Sequence, residues 1–217
     1  MKSKCAIFDF DSTLVSIETL DFLIAKTSKN QADEIEKITQ AAMNGKMTFA
    51  DSLRTRFANI NLTKSEIEEL KSEICNYLTE GFAEGFNQLR DEFDFYIISG
   101  GFLEIIYPVA DKLGIPHANC FANNFTYDGN KIIGFDQENI LSQNGGKPKI
   151  VDQILAKKSY TKIFMVGDGY TDLEVAKAIS KVTFCGFGGH AARESVIKEA
   201  ENFFYNVGDL ISFLKSA

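Results

Sequence analysis

Residues 5–16 read C-A-I-F-D-F-D-S-T-L-V-S, an apolar run from Cys5 to Phe8 that stops at Asp9, with a second acid, Asp11, two residues on. So short an apolar stretch, cut off by a carboxylate, suits a buried parallel strand. In an open α/β sheet, ligands bind at the carboxyl ends of the strands, which puts Asp9 and Asp11 at a crevice while Phe10 turns inward. Ser12 and Thr13 supply a polar, turn-prone exit. Two carboxylates about 4 Å apart repel by roughly 4 kcal/mol at an effective dielectric near 20, so something positive should hold them. Alone, an Asp-x-Asp pair is also ordinary loop sequence, and its meaning depends on the rest of the chain.

The 217 residues, 45% hydrophobic with 19 Phe and no Trp, are enough for one full core and a smaller accessory unit. A formal charge of −7, with lysines scattered rather than striped, argues against nucleic acid or an anionic membrane as the main partner. Asp9 interrupts the first apolar run too early for a signal peptide, and no apolar stretch approaches a membrane span. Cys5, Cys75, Cys120 and Cys185 are far apart and form no C-x-x-C, so they read as reduced core residues. With His117 and His190 isolated, zinc is not expected. These features predict an intracellular, cytoplasmic protein; a monomer or homodimer is expected, a choice that the features leave open.

After the first strand the periodicity is helical to about Glu80. Leu20, Leu23 and Ile24 share a face, as do Ile35 and Ile38; Gly45 is a stop and Thr48 caps the next helix. In that helix Phe49, Leu53 and Phe57 recur every four residues, and Arg56 falls almost above Phe49. Thr63 to Glu66 is a capping-box pattern ahead of Ile67, Leu70, Ile74 and Leu78, with Gly81 as the end. The expectation is a helical cap over 17–80 inserted into an α/β core of 1–16 and 81–217. From Gly81 strands and helices alternate. The strand Phe95–Ile98 precedes a helix Leu103–Leu113, and a hairpin turning at Asp128-Gly129 forms a small flap. A helix from about Pro148, the strand Ile163–Val166, a helix from Asp172, the strand Val182–Cys185 and a last strand–helix pair complete the pattern.

Three further stretches end strands with chemistry. Ser99-Gly100-Gly101 offers a hydroxyl and free backbone at the opening of a helix, which suits a phosphate but is also common turn material. Gly167 to Asp172, G-D-G-Y-T-D, sets Asp168 at a strand tip and Asp172 one turn on, where it could equally be a helix cap. Gly145-Gly146-Lys147 brings a cation on a glycine-rich approach. If these tips belong to one parallel sheet, Asp9, Asp11, Ser99, Lys147, Asp168 and Asp172 converge. Four acids and one lysine would repel an anionic substrate unless a divalent cation joined them, and hard oxygen ligands with open positions favour Mg²⁺.

D-F-D-S-T-L-V, S-G-G-F, G-G-K and V-G-D-G-Y-T-D together resemble the four ordered motifs of the haloacid dehalogenase superfamily, across the whole chain. Within it the chain is similar to the phosphoserine phosphatases, including G-K-M-T-F-A-D-S-L-R-T-R, F-A-N-N and the late G-F-G-G. The resemblance implies a three-layer, Rossmann-like core with a helical cap and a flap. It implies Asp9 as nucleophile forming an aspartyl-phosphate, and Asp11 as the acid and later the base. Ser99, the Gly100 amide, Lys147 and Thr171, which stands where many relatives carry Asn, would hold the phosphate. Asp9, Asp168 and the Asp11 carbonyl would ligate Mg²⁺, with Asp172 orienting that shell and Lys147. Choosing Lys147 over Lys149 rests on the match to G-G-K. Glu18 would meet a substrate ammonium and Arg56 its carboxylate, while Met43 and Phe49 close out water; without the family, Glu18 and Arg56 read as surface charges. The alternatives are a phosphatase of the same subfamily acting on phosphoethanolamine, phosphocholine, a nucleotide or a sugar phosphate, and a phosphoacceptor signalling domain. The latter needs neither the insertion nor a second acid at Asp11.

Overall fold

β1 (Lys4–Phe8) lies at the centre of the sheet and is almost wholly buried, which is why its sequence is a continuous apolar run rather than an alternating one. In the computed structural model, which describes residues 2–27, 32–58 and 61–217, β1 pairs in parallel with β2 (Phe93–Phe102) and with β6 (Lys162–Gly167). β3 (Cys120–Asn123) flanks β2, while β7 (Val182–Phe187) and the two-residue β8 (Phe203–Phe204) extend the other side, giving the parallel order β3-β2-β1-β6-β7-β8. The chain winds outward in opposite directions from β1 and β6, so the topological switch point falls between them.

Strand periodicity divides the core into two. Ala6 and Phe8 point to one face with Phe82 and Phe86 of α5 (Phe82–Leu89), α6 (Leu103–Leu113) and α10 (Val207–Ser216). Cys5 and Ile7 point to the other, against α7 (Gly146–Lys157) and α8 (Tyr170–Ala178). The result is the expected three-layer α/β architecture. The four cysteines are free thiols, three of them buried, as expected of core residues. Among the described residues no helix is long and apolar enough to cross a membrane.

Between the turn after β1 and residue 78 the chain forms α1 (Thr19–Thr27), α2 (Ala32–Met43), α3 (Phe49–Phe57) and α4 (Lys64–Glu73). Thr48 Oγ1 accepts from the Asp51 amide and Glu66 accepts from the Thr63 amide, the two caps expected from sequence. Where the chain leaves for this helical insertion and where it returns, Val15 and Leu78 form an antiparallel bridge. The insertion is held over the strand tips partly by aromatic packing, with Phe57 at 5.0 Å from Phe135 and 5.6 Å from Phe102.

The structure corrects several local expectations. Gly81 does not end α4, which stops at Glu73; with φ +93° it opens α5, a helix the sequence reading passed over. Inside α5, a Cβ at Gly85 would stand 2.6 Å from Ile211 Cδ1, so the glycine lets α5 and α10 touch. β2 runs on through Phe102, and α6 starts only at Leu103, so Ser99-Gly100-Gly101 lies in the strand end rather than on a helix N-terminus. The hairpin β4 (Phe125–Asp128) and β5 (Lys131–Phe135) forms, but Asp128 pairs with Lys131, so the two-residue turn is Gly129-Asn130. Only Gly129 of the two has positive φ, which excludes the type I′ geometry. β3 and the short α9 (Glu194–Ile197) also lay outside the sequence reading.

Candidate active site

The register levels Phe8 with Ile97 on one side and Val166 on the other, so Asp9, Ser99 and Asp168 emerge at one edge of the sheet. The Asp9 amide donates to the Val166 carbonyl at 2.9 Å, fixing the exit of β1 beside β6. Immediately after it the backbone turns sharply. Ser12 adopts φ +53°, a left-handed conformation costing roughly 1 kcal/mol for a residue with a Cβ. Its hydroxyl donates to Glu18 Oε1 at 2.8 Å, and its amide donates to the Ile17 carbonyl, so the turn aims the start of the insertion back at the strand tips.

The cleft beneath the insertion is lined by Asp9, Asp11, Glu18, Met43, Phe49, Arg56, Ser99, Gly100, Lys147 and Thr171, which brings together every residue expected from sequence to meet a substrate. Asp168 and Asp172 lie behind it. One carboxylate oxygen from each of Asp9, Asp168 and Asp172 falls within 4.8 Å of the others, all three residues being buried. Lys147 Nζ sits 2.8 Å from Asp9 Oδ1 and 2.6 Å from Asp172 Oδ1, whereas Lys149 is exposed, so burial now makes the choice that motif matching made before. Asp172 Oδ2 also accepts from the Gly169 amide at 3.0 Å; it is both the cap of α8 and the partner of the lysine.

Asp9 Oδ1 takes two donors, Lys147 and the Phe10 amide at 2.7 Å, and Oδ2 is left free of donors among the described residues. Asp11 turns away from the cluster, its Oδ1 accepting from the Thr19 amide at 3.0 Å. Burial, then the charges of Glu18 and Asp9, push the Asp11 carboxyl up to about 8, so it holds a proton at neutral pH. Burial likewise raises Asp168 to about 7 despite the Arg193 guanidinium beside it, and raises Asp172 well above the usual carboxylate range. For Lys147 burial alone would favour the neutral amine, but Asp172 and Asp9 outweigh it and hold the ammonium charged. Three clustered acids, met by Lys147 and at Asp168 by Arg193, form an all-oxygen donor set that keeps a net negative charge, and that chemistry fits a small hard dication.

At the insertion end Arg56 is 5% exposed and pairs with Asp21 at 3.2 Å, while its Nε has no partner among the described residues. Phe49 lies directly on the Ser99–Gly101 end of β2: a Cβ at Gly100 would stand 2.4 Å from its Cζ. Arg193 was missed. It follows the late G-F-G-G in a loop with no motif of its own, yet its Nε donates to Asp168 Oδ2 at 2.8 Å and its Nη2 to Glu18 Oε1 at 3.2 Å. A charged residue shortly after a glycine-rich strand exit was the only signal.

Parallel sheet, switch-point acids and a buried lysine define the class, and a family model for haloacid dehalogenase-like hydrolases matches residues 3–180. Phosphoserine phosphatase of Bos taurus is 35% identical over 210 residues, 96% of this chain and 92% of that one. A solved phosphoserine phosphohydrolase-like protein from Francisella tularensis superposes with a TM-score of 0.90 at 33% identity, over 99% of this chain and 100% of the other. A structure of a phospho-aspartyl intermediate analogue of phosphoserine phosphatase gives 0.84 at 28% identity, over 98% and 99%. The chain belongs to the phosphoserine phosphatase family of these hydrolases.

Proposed function

We propose that the chain hydrolyses O-phospho-L-serine to L-serine and phosphate, with 17–80 as the substrate-selecting cap and Mg²⁺ as cofactor. One observation carries this reading: a single cleft is lined by the Asp9/Asp11 pair, by Glu18 and by a buried Arg56 whose Nε–H is unpaired among the described residues. A buried guanidinium with an unused donor is unfavourable by about 1–3 kcal/mol unless an acceptor arrives, and a substrate carboxylate supplies one. Glu18 offers the matching charge for an ammonium.

Asp9 Oδ2, free of donors among the described residues, attacks phosphorus; the bond to the serine oxygen breaks, and that oxygen takes the proton held by Asp11. Asp11, now ionised, removes a proton from water, whose oxygen attacks phosphorus, and the bond to Asp9 breaks to release phosphate. The Ser99 hydroxyl, the Gly100 amide and Lys147 hold the phosphoryl oxygens and the charge that spreads over them. Asp9, Asp168 and the Asp11 carbonyl would hold Mg²⁺, with Asp172 orienting Lys147; the ion supplies positive charge that screens the acids from the phosphate. Phe49 and Met43 exclude water.

The test is kcat/KM for O-phospho-L-serine beside phosphoethanolamine, glycerol phosphate and nucleotides. A preference of on the order of 10²-fold or more is expected, and comparable values across the panel would move the protein to the broader phosphatase reading. Arg56→Lys should lower kcat/KM on phosphoserine by about 10²-fold and leave phosphoethanolamine within about threefold, because only the former has a carboxylate for the planar fork. Equal losses would remove Arg56 from recognition.

Metal and pH should be linked in stability. Asp11 and Asp168 are raised from 3.8 to about 8 and about 7, so between those limits the unfolded chain releases protons that the metal-free fold retains. Stability of the metal-free protein therefore falls as pH rises from about 4 to about 8. A fixed Mg²⁺ concentration of about 100 times its Kd at pH 8 stabilises there by roughly 2.7 kcal/mol, or about 5–10 °C in Tm, and the same concentration should give a smaller gain at pH 5, where protons hold the acids. A Tm shift with Mg²⁺ that is the same at both values would contradict the buried-acid account.

A further inference from the structure

Arg193 is 4% exposed in the loop between β7 and α9, and its nitrogens reach three separate parts of the chain. Nε donates to Asp168 Oδ2 in the acidic cluster at 2.8 Å, Nη1 to Gln40 Oε1 in α2 at 2.8 Å, and Nη2 to Glu18 Oε1 at 3.2 Å. With Lys147 it is one of two cations paired with these acids among the described residues. None of the four motifs contains it, and no step of the phosphoryl transfer uses it.

The hydrogen bonds give Arg193 two consequences that a filler of buried space would not have. Glu18 Oε1 takes both Arg193 and the Ser12 hydroxyl, which fixes the carboxylate and leaves Oε2 free of donors among the described residues. Asp168 Oδ2 takes Arg193 and Oδ1 takes the Thr13 hydroxyl at 3.3 Å, so a cation ligating Asp168 must share or displace one of these donors. A guanidinium this close also repels a dication directly. We propose that Arg193 is a positioning residue linking the acidic cluster to the substrate-selecting end: it sets Glu18 for a substrate ammonium and competes with Mg²⁺ for Asp168. The Glu18 half of this rests on the phosphoserine reading; the Asp168 half does not.

The experiment pairs Mg²⁺ titration calorimetry on the substrate-free chain with kinetics of Arg193→Gln and Arg193→Lys. Arg193→Gln should bind Mg²⁺ about tenfold more tightly, since a competing charge is gone, whereas loss of a merely structural residue would loosen the site. Its KM for phosphoserine and phosphoethanolamine should rise about tenfold with kcat within about threefold, and KM for glycerol phosphate, which has no ammonium, should stay within about twofold. Arg193→Lys keeps the charge but lacks the fork, so it should hold Mg²⁺ affinity within about threefold of the native chain while still raising KM for the amines. It also tests the proposal should the glutamine variant not fold. Unchanged or weaker Mg²⁺ binding in Arg193→Gln, a larger change in Arg193→Lys, or equal KM increases with and without an ammonium would each overturn it. A native enzyme without preference for phosphoserine would defeat the substrate reading, while the calorimetry would still judge the competition at Asp168.

Discussion

Asp9→Asn is expected to reduce phosphate release by on the order of 10⁴-fold or more, because an amide oxygen cannot form the phospho-enzyme bond that splits the reaction in two. The substitution is nearly isosteric. Its side-chain oxygen can still accept from the Phe10 amide, which Asp9 does at 2.7 Å, so the exit of β1 should keep its shape. It also removes one of three acids clustered within 4.8 Å. Repulsion falls, and the metal-free variant should melt at the same temperature as the native chain or higher. Phosphate release, a phosphoryl-trapping assay and a melting curve together separate lost chemistry from lost structure. Retained turnover in a folded variant would place the nucleophile elsewhere, and a much lower Tm would mean that the loss reports on the fold.

Lys147→Met should have the second largest effect, and it should act on both rate and stability. The ammonium lies within 2.8 Å of Asp9 and Asp172 and is itself only 6% exposed. Methionine fills a similar volume without charge. Turnover should fall by about 10³-fold, the range seen when a charge-stabilising donor at a transferring group is lost. Breaking a buried pair while leaving its acids in place is destabilising by roughly 3–5 kcal/mol, which in a chain of this size lowers Tm by about 10 °C. The sign with pH follows from the acids left behind: Asp172 is already raised by burial and by the Asp9 charge, and without Lys147 it rises further. The instability should therefore be greatest at high pH and shrink towards pH 5, where the acids take up protons. Saturating Mg²⁺ should recover part of the lost Tm but not the lost rate, since a cation among the carboxylates does not replace a donor to the phosphoryl oxygens. Lys149→Met is the control. That side chain is exposed, and it should change neither quantity.

Sequence alone determined the strand tips. A buried strand followed at once by an acid, a hydroxyl or a glycine is a local pattern, and parallel topology then sends such tips to one edge of the sheet. That is why Asp9, Asp11, Ser99, Lys147, Asp168 and Asp172 could be grouped before any coordinates, and why β1, α6 and the caps at Thr48 and Thr63 came out near their true bounds. What only the tertiary structure decided depends on partners far away in the chain. The part Gly85 plays in α5 depends on Ile211 packing against it from α10. Lys147 and Lys149 are equivalent by composition until burial separates them. Arg193 meets Glu18 across 175 positions and Asp168 across 25, and no periodicity encodes an approach of that kind. Local pattern fixes which elements form and what chemistry sits at their ends; the register of the sheet and the packing of the insertion over it fix which charges meet.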